Sequence, residues 1–183
     1  MNIQYFFGEF PTIEIGNIVL REIVIEDAED YYNYMSCKEM DGFLTQDNRP
    51  ENIEKSQEEL KYWSSLFPNK RSIYWAIAKK SDNKMIGTAG FNLISFPHSR
   101  AEISYDLDPS YWGQGIMLRS IKAILKFADD GLGLVRVQAT VITDNERSIK
   151  LLERTGFKKE GLLVKYEMVE GVHKDYFMYA RVN

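Results

Sequence analysis

Cysteine is nearly absent from this 183-residue sequence, in which Cys37 is the only one. A single cysteine excludes an intrachain disulfide and any metal site built from several thiolates. Histidine is almost as rare. Both His98 and His173 fall in segments predicted as loops or hairpins, so the pattern does not favour a cysteine–histidine nucleophile. We expect Cys37 to be a small packed side chain on the first helix.

Long apolar runs are missing as well. No stretch of about 18 apolar residues occurs, so we expect no membrane-spanning helix. The first residues lack the basic start of a signal peptide and carry Glu9 and Glu14. A lone cysteine fits a reducing compartment, and we therefore expect a cytoplasmic protein.

The chain also lacks an excess of positive charge. Its 23 lysines and arginines are outnumbered by 27 acidic residues, which gives a formal charge of −4. This charge repels a phosphate backbone, so we expect no binding to nucleic acid, and an anionic ligand would need a local site. The length suits one domain with a single core, which we assign to residues 1–183.

Segments with strand and helix patterns alternate along the whole chain. They follow the order β-α-α-β-β-β-α-β-α-β-β, which predicts an α/β fold with a mixed sheet and helices on both faces. The predicted strands are residues 18–24, 72–78, 85–95, 101–107, 134–142, 162–169 and 172–182. The predicted helices are residues 27–40, 50–66, 116–132 and 143–155.

Capping residues set the expected helix boundaries. Asp27 is the predicted N-cap of the first helix, and Pro50 stands at the predicted start of the second. Thr143 and Glu146 match a capping box at the start of the last helix, which Gly156 ends.

The stretch SYWGQGIM, residues 110–117, joins a predicted strand to a predicted helix through Gly113 and Gly115. A strand, a glycine turn and a helix together form an anion site, because the first N–H groups of a helix are unpaired and its dipole favours negative charge. A plain turn explains the two glycines equally well. A dinucleotide fingerprint would need glycine at Leu118, and a Walker loop would need Gly-Lys-Ser/Thr, so neither motif applies.

Several segments resemble the GNAT N-acetyltransferase superfamily, in particular its RimJ/RimL-type branch. They are FPTIEIGNIVLRE, LDPSYWGQGIM, TDNERSIKLLERTGF and GVHKDYFMYA, and the resemblance covers roughly residues 10–182. It implies the GNAT fold, a mostly antiparallel central sheet that splays into a V-shaped cleft. It also implies acetyl-CoA as co-substrate and no metal. Dimers are common among such proteins, which leaves a homodimer open.

The resemblance implies a cofactor site along one strand and the glycine turn, with an oxyanion contact from a main-chain N–H near Asp106 or Leu107. Three residues depart from the family pattern: Met117 replaces Gly or Ala, and Leu118 with Arg119 replaces a Thr-Glu pair. The implied cofactor-binding residues are Tyr105, Asp106, Leu107, Trp112, Gly113, Gln114, Gly115, Ile116, Met117, Leu118, Asn145 and Ser148.

Acetyl transfer requires proton removal from an amine, oxyanion stabilisation and assistance to a departing thiolate. Glu102, on the polar face of strand 101–107, is the predicted general base, with a solvated strand glutamate as the alternative. Ser148 is the predicted proton donor, because the tyrosine used by many family members is Leu152 here. A helix-capping role for Asn145 and Ser148 is the alternative, which the capping residue Thr143 makes less favoured.

The resemblance implies an acetyl-CoA-dependent N-acetyltransferase, and we expect it to act on a protein or peptide N-terminal α-amine. A small-molecule acceptor, a polyamine or an antibiotic amine, is one alternative, and Glu39, Asp41 and Asp47 could give a polyamine an acidic pocket. A non-catalytic acyl-CoA-binding domain is the other. Residues 41–49 are the predicted specificity loop.

Overall fold

The computed structural model describes residues 7–45 and 49–183. Within these residues one sheet of eight strands carries four α-helices, which confirms the predicted mixed α/β fold. The strands are β1 (Ile13–Ile15), β2 (Ile18–Glu22), β3 (Tyr74–Lys79), β4 (Met85–Ser95), β5 (Arg100–Leu107), β6 (Arg136–Ile142), β7 (Lys158–Val169) and β8 (Val172–Val182). The helices are α1 (Ala28–Met35), α2 (Ile53–Ser65), α3 (Ile116–Phe127) and α4 (Glu146–Arg154).

The strands lie in the order β1-β2-β3-β4-β5-β6-β8-β7. Every neighbouring pair is antiparallel except β5 with β6, which is parallel. A parallel pair needs a crossover connection, and α3 provides it. No helix among the described residues is long and apolar enough to span a membrane.

Two strand segments are absent from the sequence prediction. β1 forms a short hairpin with β2, in which Gly16 has a φ of 60°. Three residues are too few to display an alternating pattern, so this strand gave no signal. β7 begins at Lys158 rather than at Leu162. Its first residues are exposed and charged, and their backbone pairing with β8 holds them in the sheet.

The first two helices differ from their predicted bounds. α1 ends at Met35, and Lys38–Met40 form a separate 3-10 turn, because Cys37 is extended with a ψ of 139°. α2 begins at Ile53 instead of Pro50. Asn52 sets this start, since its Oδ1 accepts a hydrogen bond from the backbone N–H of Lys55 at 2.8 Å.

The helices cover both faces of the sheet, as predicted. On β3, Trp75 belongs to the core formed with α3 and α4, whereas Tyr74 packs in the core formed with α1 and α2. Successive strand residues point to opposite faces, so the two helix pairs lie on opposite sides. Cys37 is half-buried against the second core, the packed position expected for it.

The predicted splay of the central strands is present. β5 and β6 pair only at Arg100–Glu102 with Arg136–Gln138, although both strands continue beyond that point. At the same level β4 has a bulge, because Phe91 pairs with Ile103 while Leu93 pairs with Glu102. A bulge bends a strand and increases its twist, which fits the separation of β5 from β6.

Candidate active site

The separated ends of β5 and β6 enclose a cleft of about 150 Å³. Four predicted site residues lie in its wall: Glu102, Tyr105, Asn145 and Ser148. The remaining lining residues are Phe43, Asn92, Ile103, Ser104, Ala139, Thr140, Val141, Ile142 and Tyr176. The sheet and α4 therefore bring together side chains that are far apart in sequence.

A larger groove, of about 560 Å³, lies on the outer side of α2. Exposed Glu54, Glu58 and Lys61 line it, and none of the predicted site residues does. Its wide opening leaves any ligand exposed to water. We therefore place the chemistry in the smaller cleft, where partly buried polar groups converge.

Both walls of the cleft carry strand edges that have no strand beside them. Beyond Glu102 and Gln138 the ladder between β5 and β6 ends, so Tyr105–Leu107 pair with β4 alone. The main-chain groups on the other edge of β5 face the opening. Such an edge can bind an extended ligand as an added strand.

The glycine turn lies between β5 and α3. Gly113 and Gly115 have φ values of 76° and 69°, in the left-handed region that residues with a Cβ rarely adopt. A Cβ on Gly113 would meet no atom within 4 Å, so the backbone conformation, not crowding, requires glycine there. Gly115 is the N-cap of α3 and supplies no side-chain cap, which leaves the first N–H groups of the helix available.

Arg119 lies over this turn. Its Nη1 donates to the main-chain oxygen of Gln114 at 3.1 Å and lies 3.5 Å from where a Cβ of Gly115 would be. The sequence showed Arg119 only as a departure from the family pattern. The structure shows that it brings a guanidinium to a helix N-terminus, where both features favour an anion.

The bulky residues around the turn face the protein. Ile116 and Met117 are buried, with Met117 only 8% exposed, so neither obstructs the turn. Trp112 donates from Nε1 to the Leu107 oxygen at 2.8 Å, and the Arg147 guanidinium lies 4.3 Å from its ring centroid. Trp112 therefore anchors the turn to β5 and links it to α4.

The side chain of Asp106 points away from the cleft. Its Oδ1 accepts from the Tyr34 hydroxyl at 2.6 Å and from the Thr88 N–H at 3.0 Å. Burial raises the pKa of this carboxyl, while hydrogen bonds from Thr88 and Tyr34 oppose the rise. Asp106 thus offers only its main chain to the cleft, and its carboxyl ties α1 to the sheet.

Glu102 lies where the two central strands part. Gln138 Nε2 donates to its Oε2 at 3.0 Å, which joins β6 to β5 at the last paired position. This bond fixes the carboxyl group beside the opening. Gln138 makes no such bond to Oε1 of the same carboxyl group. Glu102 lies on the polar face of β5, as the alternation of residues along this strand predicted.

Asn145, and not Thr143, caps α4. Its Oδ1 accepts from the Ser148 N–H at 3.1 Å, so the predicted capping box with Glu146 is wrong and the helix starts later. Thr143 instead donates its N–H to the Asp175 oxygen at 3.1 Å. The capping alternative for Asn145 is correct. The Ser148 hydroxyl takes no part in the cap and stays in the cleft wall.

That hydroxyl pairs with Tyr105. The Tyr105 oxygen lies 2.7 Å from Ser148 Oγ and links β5 to α4 across the divergence of the strands. Burial raises the pKa of the Tyr105 hydroxyl, so it keeps its proton at neutral pH. Sequence reasoning gave Tyr105 a main-chain role only. The sequence did contain a signal for the side-chain role: a tyrosine hydroxyl on the buried face of a strand needs a hydrogen-bond partner.

A second carboxylate, that of Glu167, lies close to Tyr176 in the cleft wall. Burial, and after it the Glu167 carboxylate, raise the pKa of Tyr176, which lines the cleft. The Tyr166 ring lies 5.6 Å from that of Tyr176, and burial followed by the charges of Glu102 and Glu167 raises the pKa of Tyr166. The sequence pattern did not single out Glu167 or either tyrosine.

Neither Glu39 nor Asp41, two of the acidic residues predicted to form a pocket, lines the cleft. Asp41 forms an ion pair with Arg49, which offsets its charge. Asp47 lies outside the described residues, as does part of the predicted specificity loop. Phe43 from that loop lines the cleft and is 38% exposed. Within residues 7–45 and 49–183, no group of three His, Cys, Asp or Glu side chains is placed to bind a metal.

Comparison with known proteins agrees with this geometry. An uncharacterized N-acetyltransferase of Bacillus subtilis (strain 168), YoaA, is 35% identical over 173 residues, 94% of this chain and 97% of the relative. The structure of ribosomal-protein-S5-alanine acetyltransferase from Vibrio fischeri matches with a TM-score of 0.84 and 27% identity, over 94% of this chain and 97% of that one.

A third similar protein has been solved with a bound cofactor. The microcin C7 self-immunity acetyltransferase MccE, solved with acetyl-CoA and AMP, matches with a TM-score of 0.83 and 26% identity, over 92% of this chain and 94% of its own. The sequence profile of the acetyltransferase (GNAT) domain matches residues 17–158, which include the cleft-lining part of β5, the glycine turn and α4. The chain therefore belongs to the GNAT family of N-acetyltransferases.

Proposed function

We propose that this N-acetyltransferase acts on the N-terminal α-amine of a protein or peptide. The observation that carries the proposal is the cleft itself, which combines the open edge of β5 with the carboxylate of Glu102 on the same strand. A similar structure belongs to an enzyme named for the alanine of ribosomal protein S5, which supports a protein acceptor for this chain also.

Acetyl-CoA is the acetyl donor of GNAT enzymes. We assign its pantetheine arm to the free edge of Tyr105–Leu107 and its pyrophosphate to the N–H groups of Gln114–Leu118. The Arg119 guanidinium, which folds over the turn, adds a charge-assisted contact to the pyrophosphate. The side chain of Trp112 holds the turn against β5 through its hydrogen bond to the Leu107 oxygen.

Glu102 is the proposed general base. An α-amine has a pKa near ~8, so a fraction of it is already neutral at pH 7, and a carboxylate can accept the proton of the rest. The amine nitrogen forms a bond to the thioester carbon, and a main-chain N–H near Asp106 or Leu107 receives the oxyanion. Glu167 carries a second carboxylate in the same region, and we propose that it attracts the ammonium group of the acceptor.

Ser148 is the proposed donor to the departing sulfur. When the carbon–sulfur bond breaks, the thiolate takes the proton of the Ser148 hydroxyl. Glu102 releases the proton lost by the amine to solvent, and the serine oxygen takes a proton from solvent in turn. The products are the acetylated amine and the free thiol of CoA. The Tyr105 hydroxyl lies 2.7 Å from Ser148 Oγ, and we assign Tyr105 as the donor of this bond, so that the serine proton is left for the sulfur.

A polyamine is the second candidate acceptor. Glu102 and Glu167, together with the tyrosine ring of Tyr166, would attract a cationic amine. Against it, the Asp41 charge in the predicted acidic pocket is offset by Arg49. A peptide α-amine needs less negative charge than a polyamine, and we favour it for that reason.

The test is thiol release from acetyl-CoA with a panel of amines. We expect release with peptides that have a free N-terminus and none with spermidine or with the same peptides after N-terminal blocking. Reaction with spermidine alone would reverse the choice of acceptor. Stabilisation by acetyl-CoA without thiol release for any amine would instead support a binding module with no catalytic role.

A further inference from the structure

Asn92 is the extra residue of the β4 bulge. Phe91 and Leu93 pair with adjacent residues of β5, so Asn92 has no partner of its own in the ladder. In a bulge, two consecutive side chains can share one face. Leu93 pairs with Glu102 and is 59% exposed, and Asn92 lines the cleft beside the same glutamate.

A chain of hydrogen bonds fixes the Asn92 amide. Ser104 Oγ donates to Asn92 Oδ1 at 2.5 Å, and the Tyr74 hydroxyl lies 2.5 Å from Ser104 Oγ. Serine has one hydroxyl proton, so Tyr74 must donate the other bond. Tyr74 is only 5% exposed. The order of donors therefore turns Asn92 Oδ1 toward Ser104 and turns its two N–H donors away from it.

We propose that Asn92 Nδ2 binds the carbonyl oxygen next to the acceptor amine, which makes Asn92 a specificity-determining residue. The inference rests on the proposed function, because a peptide α-amine is always followed by a carbonyl. With the amine at Glu102, that carbonyl lies beside the neighbouring position on β4, where the amide offers its donors. A polyamine has no carbonyl and gains no contact from the exposed amide of Asn92, so it binds less well than a peptide does.

The chemistry of the contact predicts which substitution removes it. Asn92→Asp retains the size of the side chain and the oxygen that accepts from Ser104, and it replaces two donors by an anionic oxygen. That oxygen repels a carbonyl and attracts an ammonium group. The substitution therefore weakens acceptors that carry the carbonyl and spares those that do not.

Two small acceptors isolate the carbonyl. Alaninamide and isopropylamine share an amine on a methyl-bearing carbon, and only alaninamide carries the carbonyl. We expect Asn92→Asp to lower kcat/KM for alaninamide by about tenfold, the size of one lost hydrogen bond, and to leave isopropylamine unchanged or improved. Each variant is compared with the wild type on the same acceptor, so the different basicity of the two amines cancels.

Two further variants complete the experiment. Asn69→Asp makes the same change of atoms at an exposed position outside the cleft and should alter neither acceptor. Ser104→Ala removes the group that orients the Asn92 amide and should give a smaller loss that is confined to alaninamide. A thermal melt of each variant separates loss of folding from loss of contact.

The outcomes distinguish this inference from the function on which it rests. If the wild type acetylates alaninamide and Asn92→Asp changes both acceptors equally or changes neither, the role of Asn92 is wrong and the proposed function stands. If the wild type acetylates isopropylamine or spermidine but neither alaninamide nor any peptide, both are wrong.

Discussion

The hydroxyl of Tyr105 lies 2.7 Å from Ser148 Oγ, and this bond connects the free edge of β5 to the first turn of α4. The main-chain N–H of Ser148 is held at the same time by the capping oxygen of Asn145. Two bonds therefore fix the serine, one at its hydroxyl and one at its main chain.

Tyr105→Phe removes only the hydroxyl. We expect kcat to fall by about tenfold, because the loss of one hydrogen bond leaves Ser148 free to rotate away from the sulfur. The KM for acetyl-CoA should stay the same, since the main chain of residue 105 is unchanged. Steady-state kinetics with a peptide acceptor measures both values, and an unchanged kcat would refute the pairing as a catalytic device.

Acetyl-CoA with selenium in place of sulfur gives a sharper control for this variant. A selenolate is a better leaving group than a thiolate and needs less assistance from a donor. The loss caused by Tyr105→Phe should therefore shrink with the seleno compound. An equal loss with both compounds would indicate that the tyrosine has only a packing role.

Glu102→Gln removes the proposed base and retains the bond from Gln138 to its oxygen. We expect kcat/KM at pH 7 to fall by about 100-fold, the lower end for general base catalysis. The gap to the wild type should narrow above the acceptor pKa of ~8, where the amine is already neutral. A pH profile for both proteins measures this dependence.

Glu167→Gln is the matched control for that experiment. It removes one carboxylate from the same region, and we expect mainly a higher KM for the acceptor because the ammonium is attracted less strongly. Loss of kcat in the Glu167 variant, with activity kept in the Glu102 variant, would transfer the role of base to Glu167.

Arg119→Gln should weaken CoA binding. The guanidinium lies over the helix N-terminus, and a charge-assisted contact to phosphate contributes about 1.5–3 kcal/mol, so the Kd should rise by tenfold or more. Lys122→Gln removes the same charge from an exposed position further along α3 and should have little effect. Calorimetry at two salt concentrations checks both variants, and equal affinities would show that Arg119 makes no contact with the phosphates.

The buried carboxyl of Asp106 predicts a dependence of stability on pH. Because its pKa is raised in the folded protein, its contribution to stability is complete below the unfolded value of ~3.9 and declines as pH rises through the folded value. Asparagine does not ionise, so the stability of Asp106→Asn does not decline in this way. Urea unfolding should therefore show the variant gaining stability relative to the wild type between pH 4 and pH 7. A constant difference across that interval would contradict the raised pKa.

The sequence predicted the elements whose side chains alternate or repeat clearly. The alternation along β5 correctly put Glu102 on the polar face and Tyr105 on the buried one. The splay followed from the family resemblance alone, since no residue type marks where β5 leaves β6. The bulge at Asn92 was equally invisible, because a bulge depends on the register between two strands.

The features of the site that the sequence did not reveal depend on tertiary contacts. Both Thr143 and Asn145 fit the pattern of an N-cap, and only the structure shows that the Asn145 oxygen reaches the helix. Arg119 reaches back over the turn through a long flexible side chain, which sequence spacing does not indicate. The partner of the Ser148 hydroxyl lies on another element of the fold, and the same holds for Tyr74 and Asn92.

The central claim is transfer of acetyl to an α-amine. Its most direct test is fragment mass spectrometry of a peptide with a free N-terminus and an internal lysine, after incubation with acetyl-CoA and the protein. We predict one acetyl group on the N-terminal residue and none on lysine, and about a hundredth as much product with Glu102→Gln over the same interval. Acetyl on the lysine alone, or an unmodified peptide alongside acetylated spermidine, would contradict it.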